Sequence, residues 1–319
     1  MVKTLLALLL VTSLYSQDLV TLYRTQGMED VIRKLDRTLT DIIYWQNELT
    51  NKDLRFGYFE SIDSLLQCNK ERSELVFLKR EEEGEFVLEK SFNAYTGKLN
   101  GDKRREGDLK TPVGVYRLTK RLNQLDPFYG PLAFVTSYPN FYDRIQGKNG
   151  SGIWIHGLPD NAEREPYTRG CIAIENSDII AMSEKLSLEN SVIVIESKEQ
   201  ESVELDTFAL LLAELYHWRY AWLYNDLTTY LDFYADDFQR HDGMHKKRFA
   251  DYKRQVFAYN DKKQIHFKDL NIIPYPSTHE SLFLIWFEET YFSKRINFQG
   301  EKSLIVRVDN GEMKIVAEK

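Results

Sequence analysis

The chain is poor in cysteine, with only Cys68 and Cys171 among its 319 residues. So few thiols exclude a small fold held by several disulfides, and they exclude a zinc site built from cysteines alone. A disulfide between these distant cysteines would block Cys171, which belongs to a candidate catalytic motif. We therefore expect Cys171 to be a free thiol. We expect Cys68 to be a small packed side chain, with a role as an oxidative trap as the alternative.

Excess basic charge and long hydrophobic runs are also lacking. The net charge of −7 gives no basic footprint for nucleic acid. The apolar run Leu5–Val11 is much shorter than the ~20 residues that cross a bilayer, so no membrane span is predicted. Lys3 before this run and Ser13 and Ser16 after it are typical of a secretory signal peptide. We therefore expect residues 1–16 to be removed on export, with a buried N-terminal helix as the alternative.

Apolar sequence is plentiful. Apolar residues make up 43% and aromatic residues 13% of the chain, and its length suits two compact domains. From Met28 to Leu49 apolar residues recur at helical spacing, which predicts one long amphipathic helix. Its apolar members are Val31, Ile32, Leu35, Leu39, Ile42 and Ile43. Such a helix needs a partner surface, so we expect it to pack on the next domain or on a second copy of the chain.

Short strand-like segments follow, separated by turns rich in glycine and charge. They are Leu75–Leu78, Glu85–Leu88, Val113–Leu118, Ala133–Thr136, Gly152–Ile155, Cys171–Ile174 and Ser191–Glu196. One helix is predicted from a Ser177-Asp178 cap to about Leu186. The charged loop Gly97–Gly107 is most simply a solvated surface, with a position beside a substrate cleft as the alternative. This region is therefore predicted to be a mainly β domain.

Two motifs in that domain carry the candidate chemistry. Gly152-Ile-Trp-Ile-His156-Gly157 closes an apolar run with a histidine, and Thr168-Arg169-Gly170-Cys171 opens another with a cysteine. A thiol attacks acyl carbons well near neutral pH only when a base or a cation lowers its pKa. His156 can serve as that base, and Arg169 is a cation nearby in sequence. A buried cysteine and a hydrogen-bonded histidine without catalysis are the alternative.

These motifs resemble the catalytic motif of L,D-transpeptidase (YkuD-type) domains. Thr111-Pro112-Val-Gly114 resembles the Thr-Pro-x-Gly hairpin of that family, and Tyr138-Pro139-Asn140-x-x-Asp143 resembles its Tyr-Pro-Asn-x-x-Asp segment. Arg169 departs from the family pattern, since many members carry histidine there. As a whole, the chain is similar to the L,D-carboxypeptidases that set cell shape in helical Gram-negative bacteria, which implies a periplasmic protein.

The resemblance implies a cysteine enzyme that acts on the stem peptides of peptidoglycan. Cys171 is then the nucleophile and His156 its base, and the carbonyl of Gly157 is expected to hold the imidazole tautomer. The amides of Gly170 and Cys171 are expected to bind the oxyanion, in the turn that starts at Thr168. A side chain at Gly170 would crowd the approaching carbonyl.

The reaction outcome stays open between several alternatives. Arg169 is expected to bind a substrate carboxylate, with a structural ion pair as the alternative. Release of D-alanine from a tetrapeptide by water would make the protein an L,D-carboxypeptidase, which the whole-chain resemblance favours. Attack by an amine would make it a transpeptidase that forms cross-links or attaches protein to the wall. Outside the enzymes, a non-catalytic cell-wall-binding scaffold is the alternative.

The sequence pattern changes after the polar stretch 198–202. Leu205–Phe238 is predicted to be a long helical region whose aromatic spacing resembles the first helices of nuclear-transport-factor-2-like domains. The pattern is Trp218-x-x-Ala-Trp222-x-x-x-Asp226-x-x-x-Tyr230-Leu-x-x-Tyr234-x-x-Asp237-Phe238. Predicted strands follow at Ile265–Leu270, Ser281–Phe287, Lys302–Val308 and Glu312–Val316, the last two joined by an Asp309-Asn-Gly311 turn. The resemblance implies a cone-shaped domain whose pocket ligand is unknown: a glycan strand, a peptide or a partner protein.

Together these segments predict an α+β protein. We expect a signal peptide at 1–16, a helical N-terminal segment at 17–70, the catalytic domain at 71–200 and the nuclear-transport-factor-2-like domain at 203–319. The N-terminal helix is a candidate for pairing two copies of the chain.

Two other kinds of site are disfavoured by the sequence. His241 and His245, with Asp242 between them, stand at a spacing that binds zinc on a helix. No third ligand follows and the surroundings are typical of a loop, so solvated residues are the favoured interpretation, and no metal or cofactor is predicted. Papain-like proteolysis is disfavoured because histidine precedes cysteine closely here.

Overall fold

The computed structural model describes residues 18–159, 165–198, 201–276 and 281–319. The predicted signal peptide at 1–16 lies outside these ranges. The described residues form two β-sheets of eight and six strands, with helices packed on both. None of the described helices is long and apolar enough to cross a membrane. The α+β class predicted from the sequence is confirmed.

The N-terminal part is helical but not continuous. After a helical stretch at residues 18–26 come α1 (Met28–Thr38), α2 (Ile42–Leu49) and the short strand β1 (Tyr58–Phe59). The prediction of one helix over Met28–Leu49 is therefore wrong at its middle. Asp41 starts a new helix there because its carboxylate accepts a hydrogen bond from the Ile43 amide at 2.9 Å, which caps α2.

The first sheet holds the candidate chemistry. Its strand order is β4-β3-β2-β9-β5-β6-β7-β8. The strands are β2 (Ser64–Asn69), β3 (Glu74–Arg80), β4 (Phe86–Asn93), β5 (Gly114–Leu122), β6 (Ala133–Thr136), β7 (Trp154–His156), β8 (Ile172–Ala173) and β9 (Ser191–Glu196). Two helices accompany it, α3 (Phe141–Ile145) and α4 (Asn176–Lys185). No strand was predicted at β2, which pairs with β3 and β9 in the middle of the sheet.

The second sheet has the order β1-β11-β12-β13-β14-β10. Its elements are α5 (Leu205–Leu223), α6 (Leu227–Asp232), β10 (Tyr234–Arg240), α7 (Lys246–Phe257), β11 (Lys263–Pro274), β12 (Leu282–Ser293), β13 (Asn297–Asp309) and β14 (Glu312–Glu318). The helical region predicted over Leu205–Phe238 is interrupted at Asn225, whose φ of 62° is left-handed. It also ends early, because Tyr234–Arg240 pairs with β14 as a strand.

The aromatic residues of the second domain form its core, as the sequence predicts. Trp218, Tyr230 and Phe238 are fully buried between the sheet and its helices. A buried ion pair lies in the same interior, with Lys302 Nζ 2.7 Å from Glu318 Oε1. Lys253 Nζ lies near four aromatic rings, 5.0 to 5.9 Å from their centroids. Burial lowers the pKa of Lys253 to about 8, opposed by the nearby charge of Glu318.

The helices α1 and α2 and the strand β1 pack on the second domain. Strand β1 pairs with β11, and Trp45 of α2 stacks on Tyr216 of α5 with ring centroids 5.4 Å apart. Asp36 of α1 is buried against Arg219, with 2.9 Å between carboxylate and guanidinium. The residues that form the first sheet therefore lie, in sequence, between two segments that pack together: α1 to β1 before the sheet and the second domain after it.

The two sheets meet through an apolar interface. Val115 and Val192 on one face of the first sheet pack with Leu282, Trp286 and Ile305 of the second. The other face of the first sheet covers a separate core that includes Ile155, Ile172 and Ile193. The second domain therefore covers part of one face of the first sheet, and it takes no part in the core on the opposite face.

Candidate active site

Strand register places Cys171 and His156 on the same face of the first sheet. In the parallel pair β7–β8, Ile155 lies beside Ile172 and His156 beside Ala173. Both isoleucines are fully buried in the core of the opposite face. Because side chains alternate along a strand, Trp154 and His156 project from the other face, and the same alternation continued one residue before β8 puts Cys171 on that face. Cys171 is then a diagonal neighbour of His156, and such neighbours lie about 7–8 Å apart with somewhat less between their Cβ atoms, a gap that an imidazole and a thiol can largely span.

The backbone fixes the tautomer of His156. Its Nδ1 lies 2.6 Å from the carbonyl oxygen of Gly157. A carbonyl only accepts, so Nδ1 carries the hydrogen and Nε2 of the neutral ring is left to accept a proton. The imidazole is 2% exposed, and Tyr129 packs edge-on against it with ring centroids 5.1 Å apart. The orientation of this base is therefore set by its own chain neighbour and by an aromatic ring.

The turn before Cys171 is organised by Thr168. Its hydroxyl donates to the Cys171 carbonyl oxygen at 2.7 Å and accepts from the Gly170 amide at 3.0 Å. The amide of Gly170 is therefore occupied in this conformation, which departs from the prediction that it binds the oxyanion. The thiol of Cys171 is partly exposed and lies 3.4 Å from the carbonyl oxygen of Gly152.

Gly170 is required by its surroundings. Its φ is +138°, and a Cβ there would lie 2.8 Å from the carbonyl oxygen of Lys110. The backbone at Lys110, rather than the incoming substrate, therefore excludes a side chain at this position. Lys110 precedes Thr111-Pro112, and the buried Thr111 hydroxyl accepts a hydrogen bond from the Gly97 amide at 2.8 Å. The Thr-Pro segment thus packs directly beneath the cysteine turn.

The Tyr-Pro-Asn-x-x-Asp segment is structural. Asn140 and Asp143 form a reciprocal capping box at the start of α3. Lys148 is buried and bridges the carboxylates of Asp143 and Asp102, at 2.8 Å from each. Asp102 in turn accepts a hydrogen bond from the Val113 amide at 2.9 Å. This chain of contacts connects the segment to the Thr-Pro hairpin, so its residues support the site from behind.

The charged loop Gly97–Gly107 is more than a solvated surface. Lys103 is 4% exposed and its ammonium lies 2.8 Å from the Asp108 carboxylate. Burial opposes the charge of Asp108, but this ammonium and the backbone amides of Arg104, Arg105 and Lys110 hold its pKa well below its usual range. The loop is therefore anchored on a buried ion pair two residues from Lys110.

Two residues near the site were missed by sequence reasoning. Asn176 accepts from the Leu158 amide at 2.7 Å and donates to the Leu158 carbonyl at 2.9 Å, which fixes the chain after Gly157. The predicted Ser177-Asp178 cap of α4 is wrong, because Glu175 is the N-cap residue and makes no side-chain cap. Tyr129 was missed as well. The segment from Pro127 to Gly130 is typical of a turn, but nothing in it indicates the contact between Tyr129 and His156.

The remaining predicted residues are placed as follows. Arg169 is exposed beside the cysteine turn. Cys68 is a free, fully buried thiol in the core of the first domain, and burial raises its pKa to about 12. Cys171 is not part of a disulfide, as predicted. His241 and His245 are exposed, and within the described ranges no cluster of histidine, cysteine or acidic residues has the form of a metal site.

Comparisons with known proteins divide the chain in the same way. Residues 63–195 match the L,D-transpeptidase catalytic domain family, and residues 210–319 match the Cds6 C-terminal NTF2-like domain family. Among curated proteins, the putative L,D-transpeptidase YafK of Escherichia coli is 33% identical over 113 residues. That match covers 34% of this chain and 41% of the relative.

Similar solved structures extend over nearly the whole chain. The helical cell shape determining protein Pgp2 from Campylobacter jejuni is 39% identical, with a TM-score of 0.82 over 88% of this chain and 99% of that one. Bd1075 of Bdellovibrio bacteriovorus is 26% identical, with a TM-score of 0.66 over 84% of this chain and 96% of that one. Both likenesses include the two-domain arrangement described above.

Proposed function

Because the chain belongs to the L,D-transpeptidase catalytic domain family, with a C-terminal NTF2-like domain, we propose that it is a peptidoglycan L,D-carboxypeptidase. The proposed reaction removes terminal D-alanine from stem tetrapeptides and leaves tripeptides. The observation that supports the proposal is that His156 ends β7 and Cys171 directly precedes β8, the strand paired with β7. Similarity to a helical cell shape determining protein supports a role in cell shape.

The proposed chemistry is two-step acyl transfer. Cys171 sulfur attacks the carbonyl carbon before the terminal D-alanine, and Nε2 of His156 takes the thiol proton. The C–N bond then breaks, the proton passes to the departing amine, and a thioester remains on Cys171. Water attacks the thioester with the same nitrogen as base, which releases the carboxylate and restores the thiol.

Binding groups around the sulfur complete the proposal. The N–H of Cys171 is the proposed oxyanion donor, and one such donor typically contributes roughly 3 kcal/mol to transition-state stabilisation. Thr168 holds the turn that presents it. Arg169 is proposed to bind the carboxylate of the terminal residue, and its exposure beside the nucleophile supports this role over a structural ion pair. No cofactor or metal is needed for these steps.

A second candidate is an L,D-transpeptidase that forms cross-links or attaches protein to the wall. The similarity to a putative L,D-transpeptidase favours it. The two reactions share the thioester and differ only in whether water or an amine resolves it. The non-catalytic cell-wall-binding scaffold remains a third candidate, in which the second domain would be the binding surface.

The test is incubation of the purified protein with a stem tetrapeptide, followed by chromatography of the products. We expect tripeptide and free D-alanine, abolished by Cys171→Ala and retained by Cys68→Ala, the matched thiol deletion in the core. New cross-links without tripeptide would overturn hydrolysis in favour of transpeptidation. Equal inactivity of the wild type and Cys171→Ala would contradict both enzyme proposals.

Location and partners are part of the same proposal. We place the protein in the periplasm after removal of residues 1–16, acting on peptidoglycan stem peptides. Self-association through the N-terminal helices is proposed because apolar side chains of α1 and α2 stay exposed, among them Ile32 at 47% and Ile43 at 58%. The ligand of the C-terminal domain is left unassigned.

A further inference from the structure

The peptide unit between Gly157 and Leu158 has a contact at each of its polar groups. Its carbonyl oxygen, that of Gly157, lies 2.6 Å from Nδ1 of His156. Its N–H, that of Leu158, donates to Oδ1 of Asn176 at 2.7 Å. This unit is trans, so its carbonyl and its N–H lie in one plane and point in opposite directions. The carbonyl that orients the imidazole is therefore held on its other side by the Asn176 side chain.

The backbone is fixed both before and after Gly157. The Asn176 side-chain amide uses its acceptor on the Leu158 N–H and its donor on the Leu158 carbonyl oxygen, at 2.9 Å for the second contact. On the other side, the Ile174 amide donates to the His156 carbonyl oxygen at 3.0 Å. The Gly157 carbonyl is therefore held in its direction by contacts of both neighbouring residues.

The ring of Tyr129, the second support of His156, is positioned against the same side chain. Gly130 follows Tyr129, and a Cβ at Gly130 would lie 2.5 Å from Asn176 Oδ1 and 2.8 Å from the Cα of Gly157. A Cβ at Gly157 would come still closer to that oxygen. The close approach of the three segments therefore limits both positions to glycine. Asn176 thus packs against the chain that carries each of the two groups that orient the imidazole.

Asn176 belongs to the part of the chain that carries the cysteine. Strand β8 directly follows Cys171, and Asn176 starts α4 five positions after the cysteine. Strand β8 pairs with β7, which ends at His156. A short segment of regular structure therefore links the proposed nucleophile to the residue that holds the acceptor of the proposed base.

The tautomer of His156 decides whether the ring can act as a base toward the thiol. With the Nδ1 hydrogen donated to the Gly157 carbonyl, Nε2 is the nitrogen that accepts a proton. A ring without this fixed acceptor also populates the other tautomer, in which Nε2 carries the hydrogen and cannot accept one. In a Ser-His-Asp triad a carboxylate holds the tautomer. Here a peptide carbonyl does so, and its direction depends on Asn176.

We propose that Asn176 is a positioning residue for the proposed reaction. Through the peptide unit between Gly157 and Leu158, it keeps His156 in the tautomer that a general base requires. The inference rests on the proposed function, since it needs His156 to accept the thiol proton of Cys171. Loss of the Asn176 side chain should therefore slow the chemical step more than it weakens substrate binding.

Kinetics of tetrapeptide hydrolysis test the first consequence. We expect Asn176→Ala to lower kcat about ten- to a hundredfold, the range seen when a group that orients a metal-bound histidine is lost. KM should stay within about twofold, because the proposed binding group Arg169 is retained. Asn176→Ser is the second variant, since serine is favoured near helix starts but lacks an amide that can hold both backbone groups of Leu158. It should show the same loss of kcat.

The control is Asn271→Ala in the second domain. Asn271 is fully buried, and its side chain accepts from the amides of Glu60 and Ser61 at 3.2 Å each. Its loss should lower the unfolding midpoint but leave kcat unchanged at temperatures well below that midpoint. Equal losses of kcat in Asn176→Ala and Asn271→Ala would overturn the positioning role, and so would an unchanged kcat in Asn176→Ala.

NMR of the imidazole nitrogens in histidine-labelled protein reads the tautomer directly. The Cys171→Ala background is used above the imidazole pKa, so that no thiol protonates the ring, and His156→Gln identifies the signals by their absence. We expect one tautomer with the hydrogen on Nδ1, and averaged signals of two tautomers when Asn176→Ala is added. One unchanged tautomer in that variant would overturn the inference. Failure of the wild type to release D-alanine would instead contradict the proposed function, and the NMR result would still decide whether Asn176 holds the ring.

Discussion

The ion pair of Lys103 and Asp108 connects a surface loop to the cysteine turn. Both side chains are largely buried, and the segment they hold ends at Lys110, whose carbonyl packs against Gly170. Removing one partner of a buried pair leaves the other charge uncompensated. The resulting loss of stability is larger than the net stability that the intact pair contributes. Loss of this pair is therefore expected to lower the stability of the fold. It is expected to lower activity indirectly, by shifting the turn that carries Cys171.

Asp108→Asn should lower the free energy of unfolding of the first domain by about 2–4 kcal/mol at neutral pH. The pKa of Asp108 is lowered by folding, so its contribution is full above the ordinary pKa of an aspartate, about 3.9. It is lost as the pH falls toward the lower folded value, so the difference between wild type and variant should shrink in acid.

Urea unfolding followed by circular dichroism measures this difference across pH. Glu106→Gln is the control, since Glu106 is an exposed carboxylate of the same loop. A gap between wild type and Asp108→Asn that widens as the pH falls would contradict the assignment, and so would equal effects of the two variants.

Individual catalytic candidates could be predicted because their motifs are contiguous in sequence. Cys171 and His156 each end or open an apolar run, and the contact of His156 with Gly157 joins chain neighbours. Partners supplied by distant loops could not be predicted. Lys148 meets Asp102 across 46 positions, and Asn176 fixes Leu158 across 18, with no pattern that pairs them.

The helices α1 and α2 have an apolar surface that the chain covers only in part. Leu39 and Ile42 pack against the core of the second domain, whereas Met28, Ile32 and Leu35 of α1 remain 45–55% exposed. The break at Asp41 splits the apolar face that sequence spacing assigned to one helix. The exposed half is the surface proposed for self-association.

Sedimentation velocity at micromolar concentration tests that proposal. We expect a dimer for the wild type and a monomer for Ile32→Glu combined with Leu35→Glu, because each charge would be buried without a partner in the paired state. Leu88→Glu, at an apolar side chain of β4 that is 62% exposed, is the matched control and should remain dimeric. A wild type that sediments as a monomer would remove the proposal.

Element types were predictable where the period was distinct. The strand Ser191–Glu196 follows the prediction directly. So does the hairpin turn at Asn310-Gly311, where both turn residues have positive φ. Tyr234 and Phe238 are four residues apart, a spacing that places them on one face of a helix and also on one face of a strand. Pairing with β14 decides between the two, and that partner is about 80 residues away in the chain.

The arrangement of domains depends on contacts that no local pattern contains. Tyr58 pairs with Ile272, so β1 joins the sheet of the second domain, and the first sheet lies in sequence between β1 and the rest of that domain. The apolar side chains Val115 and Val192 could be predicted to be buried, but not that the second domain would cover them. That coverage leaves Cys171, at the other end of the sheet, partly exposed.

The proposed reaction depends most on a thiol activated by an imidazole. Alkylation of Cys171 by iodoacetamide, followed by peptide mass spectrometry from roughly pH 5 to 9, compares the wild type with His156→Gln. The prediction is fast labelling of Cys171 near neutral pH, slowed about tenfold or more by His156→Gln, while the buried Cys68 stays unlabelled. Slow labelling that rises only near the ordinary thiol pKa of about 8.5, and equally in both proteins, would contradict it.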